Sequence, residues 1–140
     1  MTQEQRIKEA CRYINKTIAN GGIAVLTYDY HDTAAGGVCA IRTSEGKWVV
    51  SVGGNGYDRL GCALGYIVEK LSPVRLAELI DCKQTGLACY FYKGLPKIDG
   101  SVGLSEVLGV ARALGYMIDV QSKPSRVNKT KGEIRIVARG

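Results

Sequence analysis

No uninterrupted apolar run in the chain approaches the roughly 18 to 20 residues that a bilayer-crossing helix needs. The first ten residues, with Glu4 and Glu9 among them, lack the apolar segment of a signal peptide. The expectation is a soluble, cytoplasmic protein with no membrane partner. Histidine is nearly missing as well, since His31 is the single one. An imidazole-activated nucleophile therefore has one possible partner, and neither His-Glu-x-x-His nor His-x-Glu occurs to hold zinc. No serine sits in a nucleophile-elbow pattern, and no Walker motif with its Lys-Ser or Lys-Thr pair is present. The five cysteines, Cys11, Cys39, Cys62, Cys82 and Cys89, are odd in number, and no two are separated by two residues. That spacing argues against a disulfide framework and a zinc knuckle, and for small buried hydrophobes in a reducing compartment. Neither a metal nor a cofactor is expected.

At 140 residues and 46% hydrophobic, the chain suits one domain, residues 1–140, with an ordinary core. Ile7, Ala10, Cys11, Ile14 and Ile18 recur at three- and four-residue steps, which predicts a helix over Thr2 to Asn20, stopped by Gly21-Gly22. Ile23 to Tyr30 reads as a strand, His31 to Gly36 as a loop, and Val38 to Thr43 as a second strand. Ser44-Glu45-Gly46-Lys47 turns the chain into a third strand, Trp48 to Val52. Helices are predicted from about Leu60 to Leu71, from Val74 to about Cys82, and over Leu104 to Leu114, the last closed by Gly115 in the left-handed conformation. Strands are expected at Leu87 to Lys93, Tyr116 to Val120 and Glu133 to Ala138, with a basic loop from Ser122 to Gly132 between the last two. Because strands cluster rather than alternate with helices, the fold class is α+β with a mainly antiparallel sheet and about four helices.

The most informative stretch is Gly53-Gly54-Asn55-Gly56-Tyr57-Asp58-Arg59, between a strand and a helix. Amides at such a turn can point at an anion, reinforced by the helix dipole. Gly54-x-Gly56 begins a dinucleotide fingerprint, but Arg59 stands where its third glycine belongs, and no strand with an acidic residue follows. What survives is a less specific site. Gly53, Gly54 and Gly56 let backbone approach a ligand, with Asn55 among the ligand-binding positions, while Tyr57 offers a stacking face and Arg59 a guanidinium suited to phosphate. In the alternative, the stretch is a tight turn whose Asp58 caps the following helix. Asp99-Gly100-Ser101-Val102-Gly103 repeats this logic before the last helix and adds Ser101.

Three further features carry weight. Eight tyrosines stand against one phenylalanine and one tryptophan, and Tyr28 and Tyr30 share a strand face, as do Tyr90 and Tyr92. The last 18 residues hold Lys123, Arg126, Lys129, Lys131, Arg135 and Arg139 against Glu133 alone, so six positive charges less one negative give +5 of the net +6. This segment suits phosphates or an acidic protein surface, or serves as a solvated edge. Asp29, His31 and Asp32 could form an acid-base or metal group, but polar residues are expected at a strand end anyway.

The blocks Gly53 to Leu64 and Ile98 to Gly103, continuing to Ala113-Leu114-Gly115-Tyr116, resemble segments of small proteins carried by phages and prophages. They are most similar to anti-defence proteins that sequester cyclic nucleotide signals, the Thoeris antagonists. The resemblance spans roughly half the chain. It implies binding without turnover in the host bacterial cytoplasm, by a homo-oligomer that encloses an anionic nucleotide-like molecule. Phosphates would then face Arg59, Arg126 or the glycine-turn amides, and a base would stack on Tyr57 or a neighbouring tyrosine. The alternative is an inhibitor or adaptor, such as an anti-CRISPR, that binds a nucleic-acid-handling protein or nucleic acid through its basic C-terminal region.

Overall fold

Thr2 starts the first helix, α1 (Gln3–Ala19), through a capping box. Its hydroxyl accepts from the Gln5 amide at 3.2 Å, and Gln5 Oε1 accepts from the Thr2 amide at 2.8 Å. The helix buries Ile7, Ala10, Cys11 and Ile14 and is followed by Gly21 at φ +77°. The computed structural model describes residues 1–33, 36–54, 58–82, 103–126 and 129–140. After α1 come β1 (Ala24–Thr33), β2 (Gly36–Thr43), β3 (Trp48–Gly54), α2 (Arg59–Leu71), α3 (Pro73–Cys82), α4 (Leu104–Leu114), β4 (Tyr116–Arg126) and β5 (Lys129–Ala138). Among the described residues these form an α+β fold, with four helices and one five-stranded antiparallel sheet in the order β3-β2-β1-β5-β4.

Strand alternation divides the sheet into two faces. Leu26 and Tyr28 of β1, Cys39 and Ile41 of β2, and Ile134 and Ile136 of β5 are buried beneath the helices. The intervening positions carry charge, and Asp29 is held by Arg42 at 2.7 Å and Lys131 at 3.9 Å. On the covered face, α1 lies against β1, β3 and β5, α2 against β2 and β3, and α4 against β4. Helix α2 sits between α1 and α4, so it buries Cys62, Ala63, Leu64, Gly65, Ile67 and Val68 around its circumference. At its far end, Asn15 Nδ2 donates to the Leu71 carbonyl at 3.0 Å, and the Tyr116 hydroxyl donates to Asn15 Oδ1 at 2.6 Å. A helix-terminal carbonyl is thereby tied to α1 and to the first residue of β4.

Two expected loops are strand instead. His31, Asp32 and Thr33 pair with Val38, Gly37 and Gly36, while His31 also pairs with Lys129. β1 is flanked on both sides, so both rows of its backbone groups find partners and polar side chains do not end it. The basic segment continues the ladder likewise, with β4 running to Arg126 and β5 beginning at Lys129. Lysines on an open sheet face cost little hydration, so charge does not stop a strand there. The expected strand Leu87 to Lys93 lies outside the described residues.

Cys11, Cys39 and Cys62 are buried and form no disulfide with one another, and burial pushes Cys11 and Cys39 up to about 12. In the unfolded chain these thiols ionise near their ordinary value of 9.0, so the stabilisation is complete below that pH and declines as pH rises toward 12. The urea midpoint is expected to fall across this window, with buried Tyr28 and Tyr116 and half-buried Tyr66, also raised, adding to the fall at its upper end. A Cys11→Ala, Cys39→Ala double variant, less stable at neutral pH, should lose less over the same range. An equally steep fall in that variant would contradict the assignment.

Candidate functional site

The N-termini of α2 and α4 meet at one carboxylate. Asp58 Oδ1 accepts from the Gly61 amide of α2 at 2.9 Å, and Oδ2 accepts from the Leu104 amide of α4 at 2.8 Å. Gly103, the residue before α4, has no side chain with which to cap it, so the cap is supplied from 46 residues away. Gly61 makes the approach possible. A Cβ there would lie 2.6 Å from the Leu104 nitrogen and 2.8 Å from the Gly103 carbonyl carbon.

Arg59, the first residue of α2, is 4% exposed. Its Nε donates to the Gly54 carbonyl at 2.6 Å, Nη2 donates to the same oxygen, and Nη1 donates to the Tyr30 hydroxyl at 2.9 Å. Gly37 of β2 leaves room beneath, because a Cβ there would stand 2.9 Å from the guanidinium carbon. The guanidinium also lies 5.8 Å from the Tyr30 ring centre, within cation–π range. Gly54 closes β3 at φ +145°, which side-chain-bearing residues rarely adopt. On β5, Gly132 stands opposite Tyr28 and takes the ring, whose Cε1 would be 2.5 Å from a Cβ at that position. Burial pushes the Tyr28 phenol up, and its hydrogen bond with Ser122 acts in the opposite direction.

These elements line an open cavity of about 510 Å³ between the sheet and the two helix starts. The sheet wall carries Tyr28, Tyr30, Ser122 and Thr130 with Ile118, Asp119 and Val120, and the helix wall carries Asp58, Arg59, Leu60, Leu104 and Leu108. The volume falls in the usual range for small-molecule sites, roughly 300 to 1,000 Å³. Asp58 offsets the two positive helix ends, and Arg59 adds a positive charge to the wall. Chemically, the site offers apolar side chains for a flat group, phenols and hydroxyls for its polar edges, and a guanidinium at one end.

Of the residues singled out in the sequence, Gly54 and Arg59 come together here, and Arg59 lines the cavity. Asn55, Gly56, Tyr57 and Ser101 lie outside the described residues. Arg126 ends β4 opposite Lys129, with its side chain also outside them. Tyr28 and Tyr30 share the inner face, as alternation requires. Sequence reasoning missed Ser122, Thr130, Leu104, Leu108, Ile118 and Val120. The period-two spacing of Ile118, Val120 and Ser122 was the available signal, hidden by ending the strand at Val120. Asp29 is engaged in ion pairs with Arg42 and Lys131, and no group of three metal-ligating side chains exists among the described residues.

Asp58→Ala should remove both caps and cost about 2 kcal/mol, at roughly 1 kcal/mol per cap. Asp58→Asn, with one accepting oxygen, should fall between wild type and alanine. Urea denaturation measures both, and an alanine variant as stable as wild type would contradict the shared cap. The chain matches no protein-family model, no curated protein and no solved structure.

Proposed function

We propose that this chain is a non-catalytic binding domain that holds an anionic, nucleotide-like small molecule in the cavity between the sheet and the N-termini of α2 and α4. The observation that carries the reading is the pairing of an apolar, phenol-edged chamber with the buried guanidinium of Arg59. In this reading a planar base lies between Ile118 and Val120 on one side and Leu104 and Leu108 on the other. Its polar edge meets hydroxyls, and its phosphate the arginine end. Binding rather than turnover accords with Asp29 being taken up in ion pairs and with thiols shifted away from reactivity. Sequestration requires affinity and abundance, not an acid, a base or a nucleophile. In the setting implied by the resemblance to phage anti-defence proteins, the molecule is a cyclic nucleotide immune signal, and its capture in the host cytoplasm blocks antiviral defence.

The test is to incubate the purified protein with a panel of cyclic mono- and dinucleotides, remove free ligand, denature, and identify what is released. Intact nucleotide is expected. A converted product would make the protein an enzyme and overturn the proposal. Leu108→Trp, which fills the cavity from α4, should weaken retention by about tenfold or more, equivalent to roughly 1.4 kcal/mol, with the circular-dichroism spectrum unchanged. Should no nucleotide be retained, binding of nucleic acid or a protein through the hairpin bearing Lys123, Lys131 and Arg135 takes its place. Its signature is a steep loss of affinity with salt.

A further inference from the structure

The two edges of the sheet are not equivalent. At the β3 edge, Gln3 Oε1 of α1 accepts the Ser51 amide at 3.2 Å, which covers part of that backbone. At the other edge, β4 has no strand beside it among the described residues. Its polarity follows from the register. The Arg139 amide donates to the Gly115 carbonyl at 2.9 Å, one step before Tyr116 pairs with Ala138. In an antiparallel ladder, hydrogen-bonded and non-bonded pairs alternate. Met117, Asp119 and Gln121 therefore direct their backbone groups to β5, while Ile118, Val120 and Ser122 direct theirs away from it, to the side that no described strand occupies.

The side chains along this strand carry a second pattern. Asp119 and Lys123 are exposed, and both stand on the outer face of the sheet. Within the chain, Asp119 faces Arg135, but Lys123 faces Lys131, a like-charge pair that disfavours the ladder. Consider a second copy of β4 laid antiparallel along the first, with the two-fold axis at Gln121. Val120 then faces Ser122 of the second copy, both with outward backbone groups, and Lys123 faces Asp119 of the second copy. Shifting the axis to Val120 would set Lys123 against Met117. We infer that the β4 edge is a self-association surface, on which two copies pair antiparallel about Gln121 and Asp119 of each neutralises Lys123 of the other.

This surface also bears on where an assembly stops. The partly covered β3 edge and Pro124, which has no amide hydrogen to extend the new ladder, favour a closed dimer over an open stack. Ile118, Val120 and Ser122 also line the cavity, so pairing brings two cavities to either side of the axis. The inference concerns the edge and holds whatever occupies the cavity.

Sedimentation across a dilution series tests it on the full chain without ligand. Wild type is expected to dimerise, and Lys123→Asp to weaken the dimer by about tenfold or more, because two symmetric attractive pairs become repulsive. The same substitution removes the clash with Lys131, so the monomer should melt at a higher temperature. A merely destabilising mutation would not move these two readouts in opposite directions. Asp119→Lys should also weaken the dimer, and the double variant Asp119→Lys, Lys123→Asp should restore it. A wild type monomeric at every concentration, or a Lys123→Asp dimer as tight as wild type, would overturn the inference. So would a folded double variant that stays dissociated. Lys123→Asp decides the matter alone if Asp119→Lys does not fold.

Discussion

The arrangement depends on one carboxylate that serves two helices. Each helix start leaves amides without partners, and bringing two such ends together would place like partial charges side by side. Asp58 removes both problems by accepting from Gly61 and Leu104 with its two oxygens. The contact is close because Gly61 has no side chain to hold α4 away. Without this joint, α4 would have no side-chain cap, since Gly103 precedes it. The helix wall of the cavity would then lose its fixed spacing from the sheet.

Arg59 performs the matching task toward the sheet. Placed by the first turn of α2, it reaches the carbonyl that ends β3 and the phenol of Tyr30 on β1, over the gap left by Gly37. Helix α2 is thus fastened at its start to two strands and to α4, and at its end through Leu71 to Asn15. Between these fixed points, the part of the inner face that carries Tyr28, Tyr30, Ile118, Val120 and Ser122 becomes the cavity wall. Tyr28, seated on Gly132, supplies a flat surface there. The glycines next to the site therefore act by making room for an arginine, a tyrosine and a neighbouring helix.

Much of this architecture was legible in the chain, for identifiable reasons. The three- and four-residue apolar steps of α1 and α4, and Gly115 after α4, are local signals, and local hydrogen bonds realise them. Asp58 as the cap of α2 belongs to the same class. Its second bond, to Leu104, is separated by 46 residues and leaves no trace in local spacing. The extended lengths of β1, β4 and β5 were illegible for a related reason, since His31, Lys123 and Lys131 read as loop until a neighbouring strand pairs their backbone. Arg59 looked like a group presented to a ligand, whereas much of its hydrogen-bonding capacity is spent on Gly54 and Tyr30. In the proposed function it acts as a fixed positive element of the wall.

The central claim is that small-molecule recognition occurs at the junction of the two helix starts, rather than on the charged outer face. Amide chemical shifts of isotopically labelled protein, followed as a cyclic nucleotide is added, report the location directly. The account predicts that the largest changes fall on Gly61 and Leu104, whose amides meet at Asp58, and on Tyr30 and Val120 across the cavity. Changes confined to Arg42, Lys131 and Arg135, with the Gly61 and Leu104 amides unmoved, would contradict it.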